Sequence, residues 1–183
     1  MPSTTLILPG LFNSGPEHWQ SYWERTDSTC RRVVQMDWER PRCSDWVATL
    51  DQTIVNTPGD VILVAHSSSC ALVSHWSVAA HPDLVARVRG ALLVAPSDPE
   101  GPNYPEGPTG FAPMPMVPLP FPSTVIASQN DEFIELEQAR TYAKAWESLF
   151  VDIGALGHIN SASNLGEWPA GYALLNALRA GDP

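Results

Sequence analysis

Residues 61–70 read Val61-Ile62-Leu63-Val64-Ala65-His66-Ser67-Ser68-Ser69-Cys70. The apolar run up to Ala65 predicts a buried strand, and the small residues after Ser67 allow a helix to begin at once. A sharp strand-to-helix turn of this kind is typical of a nucleophile elbow, which holds a serine hydroxyl at the end of a parallel sheet. The usual pattern is Gly-x-Ser-x-Gly, and here Ala65 and Ser69 take the glycine positions. Both are small, so the segment predicts an elbow centred on Ser67.

Two neighbouring serines compete with Ser67 as the nucleophile. Ser68 would put His66 at a position that requires a small side chain, which argues against Ser68. Ser69 has small residues on both sides and stays an alternative, although it would lie in the first turn of the helix. A serine after a strand can also simply cap the next helix. The choice therefore depends on what the rest of the chain supplies.

The composition is that of a globular chain with an acidic balance. Of the 183 residues, 44% are hydrophobic and 16% are charged, and the net charge is −10. Such a charge argues against nucleic acid and anionic membranes as partners, because both need clustered Lys or Arg. Three cysteines have neither metal-ligand spacing nor a disulfide framework. Residues 1–5 lack the basic start of a secretory signal, and no apolar run approaches the ~20 residues that span a bilayer. We expect a cytoplasmic protein without metal or cofactor.

Short apolar runs alternate with segments of helix length along the whole chain. Several of the runs are continuously apolar, as strands covered on both faces should be. The alternation predicts an α/β fold with a doubly wound, mostly parallel sheet of about six strands and helices on both faces. No linker or repeat divides the chain, so we expect a single domain over residues 1–183. Strands are predicted at 5–8, 33–36, 61–65, 91–95, 124–127 and 149–153, and helices at 17–25, 44–55, 71–80, 135–146 and 169–179.

The segment 96–122 interrupts this alternation. Its many prolines and glycines exclude a helix or a central strand. Two interpretations stay open: a surface loop without a role, or a partly apolar wall or lid over a site. Its place after the strand that follows the elbow favours the second interpretation.

An acid and a base are expected to follow Ser67 in the order serine, acid, histidine. Asp131 ends a polar turn after the second strand beyond the elbow, where it could orient a histidine or merely cap a helix. Asp98 is the rival acid, but the prolines and glycines around it favour a plain turn. His158 lies in the loop after the last predicted strand, from which a histidine can accept the serine proton near neutral pH. We therefore predict the catalytic set Ser67, Asp131 and His158.

The remaining histidines and glycines have weaker functional interpretations. His66 is expected to pack or hydrogen-bond beside the elbow, and His18 could border the site but fits the first turn of a helix better. His75 and His81 look structural. Gly10 and Gly15 have the spacing of a phosphate-binding loop, but Pro16-Glu17 follow where that loop needs lysine and a hydroxyl residue. A Walker-type phosphate-binding site is therefore rejected, and the dinucleotide fingerprint Gly-x-Gly-x-x-Gly is also absent.

An oxyanion hole requires backbone N–H groups beside the nucleophile. We expect one from Ser68 and one from Leu11 in the first strand-helix loop, with Phe12 as the second choice for that loop. Apolar residues in the loops, namely Phe12, Phe111, Met114 and Trp168, could line a substrate pocket, although such residues are as often ordinary packing. A thiol sensor at Cys70 is a weak alternative, since a cysteine inside a buried helix is usually inert.

Several sequence blocks together resemble a known family. They are Leu8-Pro9-Gly10, Asn13-Ser14-Gly15-Pro16-Glu17-His18-Trp19, Ala65-His66-Ser67, Phe111-Ala112-Pro113, Pro118-Leu119-Pro120-Phe121-Pro122, Ser128-Gln129-Asn130-Asp131, Gly157-His158-Ile159-Asn160 and Gly166-Glu167-Trp168-Pro169. The chain is similar over nearly its whole length to the small α/β-hydrolases of the YdeN and retinoblastoma-binding-protein-9 type. The main departure is Ser69, where glycine is common in that family.

The resemblance implies a compact α/β-hydrolase without a large cap domain and with the catalytic set Ser67, Asp131 and His158. Together with the residues, it predicts a serine hydrolase, with carboxylesterase action on small or medium acyl esters as its specific form. The expected partner is a small ester-like substrate. Some members of the family are described chiefly as binding proteins, so a protein-interaction module on a hydrolase fold is the alternative.

Overall fold

A computed structural model describes residues 3–181, and the two residues at each end of the predicted domain lie outside that range. The strands in the described part form one parallel sheet in the order β2-β1-β3-β4-β5-β6. The predicted doubly wound α/β architecture of about six strands is confirmed, and no separate cap domain is evident within residues 3–181. The strands are β1 Thr4–Leu8, β2 Cys30–Arg32, β3 Val61–His66, β4 Val88–Val94, β5 Ser123–Ala127 and β6 Leu149–Asp152.

Helices cover both faces of this sheet, as predicted. They are α1 Trp19–Thr26, α2 Cys43–Asn56, α3 Ser68–Ala79, α4 Pro82–Val85, α5 Leu136–Ala145 and α6 Pro169–Ala180, with a 3₁₀ turn at Ser161–Ser163. Alternate residues of each strand enter opposite clusters because strand side chains point to the two faces in turn. Leu63 and Ala65 pack with α2, α3 and α5, whereas Ile62 and Val64 pack with α1 and α6. Strand β3 is buried along its entire length, which explains its continuously apolar sequence.

Strand β2 and the starts of β4 and α3 differ most from the sequence prediction; β4 begins at Val88, before the predicted residue 91. Strand β2 was expected at 33–36 but pairs with β1 through Cys30–Arg32. Val34 and Met36 are exposed, Met36 completely, so this apolar run lies beyond the edge strand and is not part of it. Helix α3 begins at Ser68, earlier than the predicted residue 71, because it starts directly after the elbow. The short helix α4 and the 3₁₀ turn lack an apolar period and were not predicted.

Four apolar side chains anchor the proline-rich segment 96–122 to the core. Phe111, Met114, Leu119 and Phe121 are buried in the same cluster as α2, α3 and α5. The Pro115 carbonyl accepts hydrogen bonds from the Ser74 hydroxyl at 3.1 Å and from the Trp146 indole at 2.9 Å. The segment is therefore not a free surface loop. Its residues Ser97 and Pro105 line the cavity beside Ser67, which agrees with the interpretation as a wall at these two positions.

Candidate active site

The backbone at Ser67 has the conformation of a nucleophile elbow. Ser67 joins the end of β3 to the start of α3 with φ 59° and ψ −129°. A positive φ is uncommon for a residue with a Cβ, and it persists only where the surrounding structure enforces it. The turn lifts the Ser67 side chain to the carboxyl end of the sheet, where ligands of open parallel sheets bind.

Gly10 makes room for this turn from the neighbouring loop. A Cβ atom on Gly10 would lie 2.6 Å from Ser67 Cβ and 3.0 Å from the His66 carbonyl oxygen. The loop between β1 and α1 can therefore touch the elbow only because residue 10 has no side chain. In the sequence, Gly10 has the spacing of a phosphate-binding loop and belongs to the Leu8-Pro9-Gly10 block, and neither observation predicts this steric role.

The Ser69 side chain bonds the neighbouring loop and not the histidine. Its hydroxyl donates a 2.6 Å hydrogen bond to the carbonyl of Pro9, and the side chain is buried. This bond ties the start of α3 to the β1–α1 loop, a connection that a glycine at position 69 could not provide. The alternative that Ser69 faces the histidine is wrong.

The structure brings Ser67, His158 and Asp131 together in one chain of hydrogen bonds. Ser67 Oγ lies 2.9 Å from His158 Nε2, and His158 Nδ1 lies 2.9 Å and 2.8 Å from the two carboxylate oxygens of Asp131. The Asp131 side chain is fully buried. An imidazole beside a carboxylate carries its proton on Nδ1, which leaves Nε2 as the acceptor for the serine hydroxyl. Asp98, the rival acid, instead accepts a hydrogen bond from the Tyr142 hydroxyl at 2.8 Å.

The turn that carries Asp131 also holds the loop of His158. Asn130 Oδ1 accepts the Gly157 N–H at 2.7 Å, and Ser128 Oγ accepts the Leu156 N–H at 2.9 Å. Acid and base are thus fixed to each other by backbone contacts as well as by their side chains.

Two ring N–H groups hold the other side of this loop. His66 Nε2 donates to the His158 carbonyl at 2.9 Å, and Trp19 Nε1 donates to the Ile159 carbonyl at 2.8 Å. Burial, together with the nearby His18 and His158, holds the pKa of His66 well below its usual range. His66 is therefore a neutral donor, and the prediction that it hydrogen-bonds beside the elbow is confirmed.

His18 combines the two roles that the sequence analysis kept apart. It is the N-cap of α1, where its Nδ1 accepts the Gln20 N–H at 3.2 Å, and its ring also lines the cavity beside Ser67. Burial, with smaller contributions from the charge of Arg32 and from His158, lowers the pKa of His18 to about 3.

A cavity of about 400 Å³ opens beside Ser67. Its lining contains no lysine, arginine, aspartate or glutamate. With His18 and His66 neutral, the walls combine apolar surface with uncharged polar groups. The lining residues are Leu11, Phe12, Asn13, His18, His66, Ser67, Ser68, Ser97, Pro105, Phe133, His158, Asn160, Ser161 and Ala162.

Only one of the four predicted pocket residues lines this cavity. Phe12 does so and is 64% exposed. Phe111, Met114 and Trp168 are buried in the core and do not reach the cavity, which corrects the prediction. Their apolar character serves packing: Trp168 stacks on Trp23, for example, with ring centroids 6.0 Å apart.

The two predicted oxyanion donors both border the cavity. Among the described residues, the N–H groups of Leu11 and Ser68 have no hydrogen-bond acceptor. The Phe12 N–H, the second choice, instead donates to the Trp38 carbonyl at 2.7 Å. Leu11 and Ser68 are therefore the N–H groups available beside Ser67.

The cysteines do not add a second reactive centre. All three are free and buried. Burial raises the pKa of Cys70 well above its usual range and that of Cys30 and Cys43 to about 12, so their thiolates are suppressed. Within residues 3–181, no group of three or more His, Cys, Asp or Glu side chains is placed to hold a metal ion.

Ser97 is a site residue that the sequence analysis missed. Its hydroxyl lies 2.8 Å from Ser67 Oγ and is buried at the cavity wall. The rule that functional groups follow parallel strands applies to Ser97, since it comes shortly after β4. A serine at this place carries no motif of its own, whereas its neighbour Asp98 has the residue type of a triad acid.

Comparisons with known proteins agree with this geometry. The family profile described as serine hydrolase matches residues 5–177. Sequence comparison with curated proteins finds no match. None of the helices found between residues 3 and 181 has both the length and the apolar character that a bilayer crossing demands.

Solved structures share the fold over nearly the whole chain. A protein named as a YdeN-like hydrolase from Pectobacterium atrosepticum is 29% identical at a TM-score of 0.82, with 99% of this chain and 91% of that chain covered. The ydeN gene product of B. subtilis is 16% identical at a TM-score of 0.73, with coverages of 97% and 99%. Esterase 2 of Thermogutta terrifontis is 14% identical at a TM-score of 0.71, with coverages of 99% and 84%. The chain has the α/β-hydrolase fold and belongs to the serine hydrolase family.

Proposed function

We propose that this protein is a carboxylesterase that cleaves small or medium acyl esters through an acyl-enzyme on Ser67. The observation that carries the proposal is the hydrogen-bonded chain from Ser67 through His158 to the buried Asp131. A serine hydroxyl is a weak nucleophile by itself and becomes reactive when a base takes its proton. His158 is that base, because its Nε2 lies at hydrogen-bond distance from Ser67 Oγ.

The reaction proceeds in two halves. His158 Nε2 takes the Ser67 proton while Oγ attacks the ester carbonyl, and the N–H groups of Leu11 and Ser68 bind the resulting oxyanion. The bond to the alcohol breaks, and the alcohol leaves with the proton from His158. Water then attacks the acyl-enzyme, gives a proton to His158, and the acid leaves as that proton returns to Ser67 Oγ. Asp131 holds the imidazole on its Nδ1 side and stabilises its charged form throughout.

The cavity lining supports an uncharged acyl group as substrate. A charged acyl chain would lose its hydration without meeting an opposite charge, which is costly. Phe12 and Phe133 offer apolar contact, and the volume of about 400 Å³ suits a short or medium chain. Esterase 2 of T. terrifontis, which shares the fold, is a protein named for esterase activity.

The test combines active-site labelling with ester hydrolysis. The wild-type protein should react covalently with a fluorophosphonate probe and hydrolyse p-nitrophenyl acetate and butyrate. Ser67→Ala should abolish labelling and lower kcat roughly a thousandfold or more, as loss of a triad member does. Ser77→Ala is the same substitution within α3. The Ser77 hydroxyl donates to the Ser74 carbonyl, away from the cavity, so this variant should keep wild-type activity.

The alternative is an interaction module without catalysis. A wild-type protein that is folded, unlabelled and inactive on every ester would favour that alternative over the proposal. Labelling that persists in the Ser67→Ala variant would instead show that another residue is the nucleophile.

A further inference from the structure

Ser97 contacts the oxygen that would attack the substrate. It lies beyond β4, is 3% exposed, and its Oγ is 2.8 Å from Ser67 Oγ. No other hydrogen-bond partner of this hydroxyl is found among residues 3–181. Ser67 Oγ therefore has two neighbours, His158 Nε2 at 2.9 Å and Ser97.

The available protons fix the direction of the serine-serine bond. His158 carries its proton on Nδ1, toward Asp131, so its Nε2 must accept from Ser67. The hydroxyl proton of Ser67 therefore points to His158 Nε2. Toward Ser97, the Ser67 oxygen can only accept a hydrogen bond. The Ser97 hydroxyl is therefore the donor to Ser67 Oγ.

The sheet order puts Ser97 and the oxyanion donor Leu11 on opposite sides of Ser67. Strand β3 lies between β1 and β4, so Leu11 follows the strand on one side and Ser97 the strand on the other. The backbone at Ala95, with φ 47°, turns the chain after β4 so that Ser97 meets the elbow. The Ser67 N–H also donates to the Val94 carbonyl at 3.0 Å, which fixes the two segments to each other. The contact that the structure gives Ser97 is with the nucleophile oxygen.

We propose that Ser97 is a further catalytic residue, whose hydroxyl donates a hydrogen bond to Ser67 Oγ during attack and during its departure. The inference rests on the proposed esterase function. In acylation, His158 removes the Ser67 proton as the bond from Oγ to the acyl carbon forms. In deacylation, that bond breaks, and Oγ takes back the proton that His158 received from water. Oγ carries partial negative charge while its proton leaves in acylation and while the bond to the acyl carbon breaks in deacylation, and a hydrogen bond to a charged oxygen is about twice as strong as a neutral one.

The same bond also limits the rotation of the Ser67 side chain. With donors and acceptors on two sides, Oγ is held facing His158 before substrate arrives. Orienting a reacting atom in advance lowers the barrier without tightening the binding of substrate. The expected signature of losing Ser97 is therefore a lower kcat at nearly constant KM.

A second serine pair elsewhere in the molecule supplies a matched control. Ser123 Oγ lies 2.6 Å from Ser148 Oγ, and Ser123 is 4% exposed. This pair lies at the beginning of β5, the end of the sheet away from the site. Ser123→Ala removes a partly buried serine-serine hydrogen bond without touching Ser67, so it measures what such a bond contributes to folding alone.

The experiment measures the rate of fluorophosphonate labelling, kcat and KM for p-nitrophenyl butyrate, and the melting temperature. We expect Ser97→Ala to lower the labelling rate and kcat about tenfold, the effect of one hydrogen bond to a reacting atom, with little change in KM. Ser97→Thr keeps the hydroxyl and should recover most of the loss. Ser123→Ala should label and turn over like wild type.

The outcomes separate this inference from the proposed function. If the wild-type protein is labelled and Ser97→Ala has the same labelling rate and kcat, the role of Ser97 is overturned and the esterase proposal stands. A slow Ser97→Ala together with an equally slow Ser97→Thr also overturns it, because the hydroxyl would not be the cause. A wild-type protein that neither labels nor hydrolyses esters overturns the esterase proposal itself.

Discussion

At the scale of single residues, the elbow combines a strained backbone with a close contact from the neighbouring loop. Ser67 holds a positive φ of 59°, a conformation that costs on the order of 1–3 kcal/mol for a residue with a side chain. Gly10 lies against it so closely that a Cβ has no room. Strain of this kind is tolerated where it aims a reactive group, and here it aims the Ser67 hydroxyl at His158 Nε2.

The contact at Gly10 predicts that a single methyl group disrupts the site. Gly10→Ala would place its Cβ 2.6 Å from Ser67 Cβ, so either the elbow or the β1–α1 loop must shift. Since the same loop carries Leu11, we expect fluorophosphonate labelling to fall at least about tenfold, because a misplaced nucleophile or oxyanion donor costs that much or more.

Gly15→Ala is the control for this substitution. It lies in the same loop, but a Cβ there meets nothing within 4 Å. Its labelling rate should match that of wild type. Equal rates for the two variants would show that the close approach at Gly10 is not needed.

The sequence brings candidate site residues together where their positions follow from the ends of strands. It is a poor guide where the direction of a side chain depends on packing. Ser67, Asp131 and His158 each follow a strand, so the rule for parallel sheets brings their candidates to one edge. Trp168 and Phe111 are apolar residues near loops, and whether such a side chain faces a cavity or the core depends on segments distant in sequence. For that reason the pocket prediction succeeded only at Phe12.

At the scale of elements, the loop from β6 to α6 decides whether the base is in place. Its residues 156 and 157 are held by the turn of Asp131, and the carbonyls of His158 and Ile159 are held by His66 and Trp19. Ile159 has a positive φ of 48°, so the loop does not follow a relaxed course there. The position of His158 thus depends on side chains from β3 and α1.

The contact of His66 with this loop predicts a loss of turnover when its N–H is removed. His66→Phe leaves the buried His158 carbonyl without a donor, and the loop can shift away from Ser67. We expect kcat to fall about tenfold, equivalent to one lost hydrogen bond, with KM nearly constant. His66→Gln, whose amide N–H reaches the same place, should recover part of the rate.

His75→Phe distinguishes this positioning role from a general loss of stability. His75 Nε2 also bonds a backbone carbonyl, that of Phe111, at 2.9 Å, but lies away from the cavity. Both Phe variants should be destabilised, as judged by urea unfolding, while only His66→Phe should lose turnover. A His66→Phe protein with wild-type kcat would contradict the role assigned to His66.

For the whole molecule, the alternation of apolar and amphipathic segments was sufficient to predict the architecture. The strands buried on both faces, above all β3, gave the clearest signal. The edge strand β2 was misplaced because it is short and because Val34 and Met36 are apolar yet exposed. The packing of the proline-rich segment could not be predicted, because its apolar residues have no period. Four of them nevertheless complete the core.

A second property of the whole molecule is its response to acid. Folding buries His18 and lowers its pKa to about 3, whereas the unfolded chain has the ordinary value of about 6.5. Between these values the unfolded state binds the additional proton, so the stability contribution is fully present above pH 6.5 and is lost as the pH falls toward 3. Burial depresses the pKa of His66 as well, which gives the same sign.

The prediction concerns the free energy of unfolding of His18→Asn. Asn can keep the N-cap bond to Gln20, since it is a favoured N-cap residue, but it does not titrate. From about pH 7 to about pH 5, wild type should therefore lose about 2 kcal/mol more stability than His18→Asn, measured by urea unfolding. His81→Asn removes an exposed N-cap histidine of α4 and should keep the wild-type pH dependence. If His18→Asn and wild type lose stability in parallel over this range, His18 does not resist protonation in the folded protein.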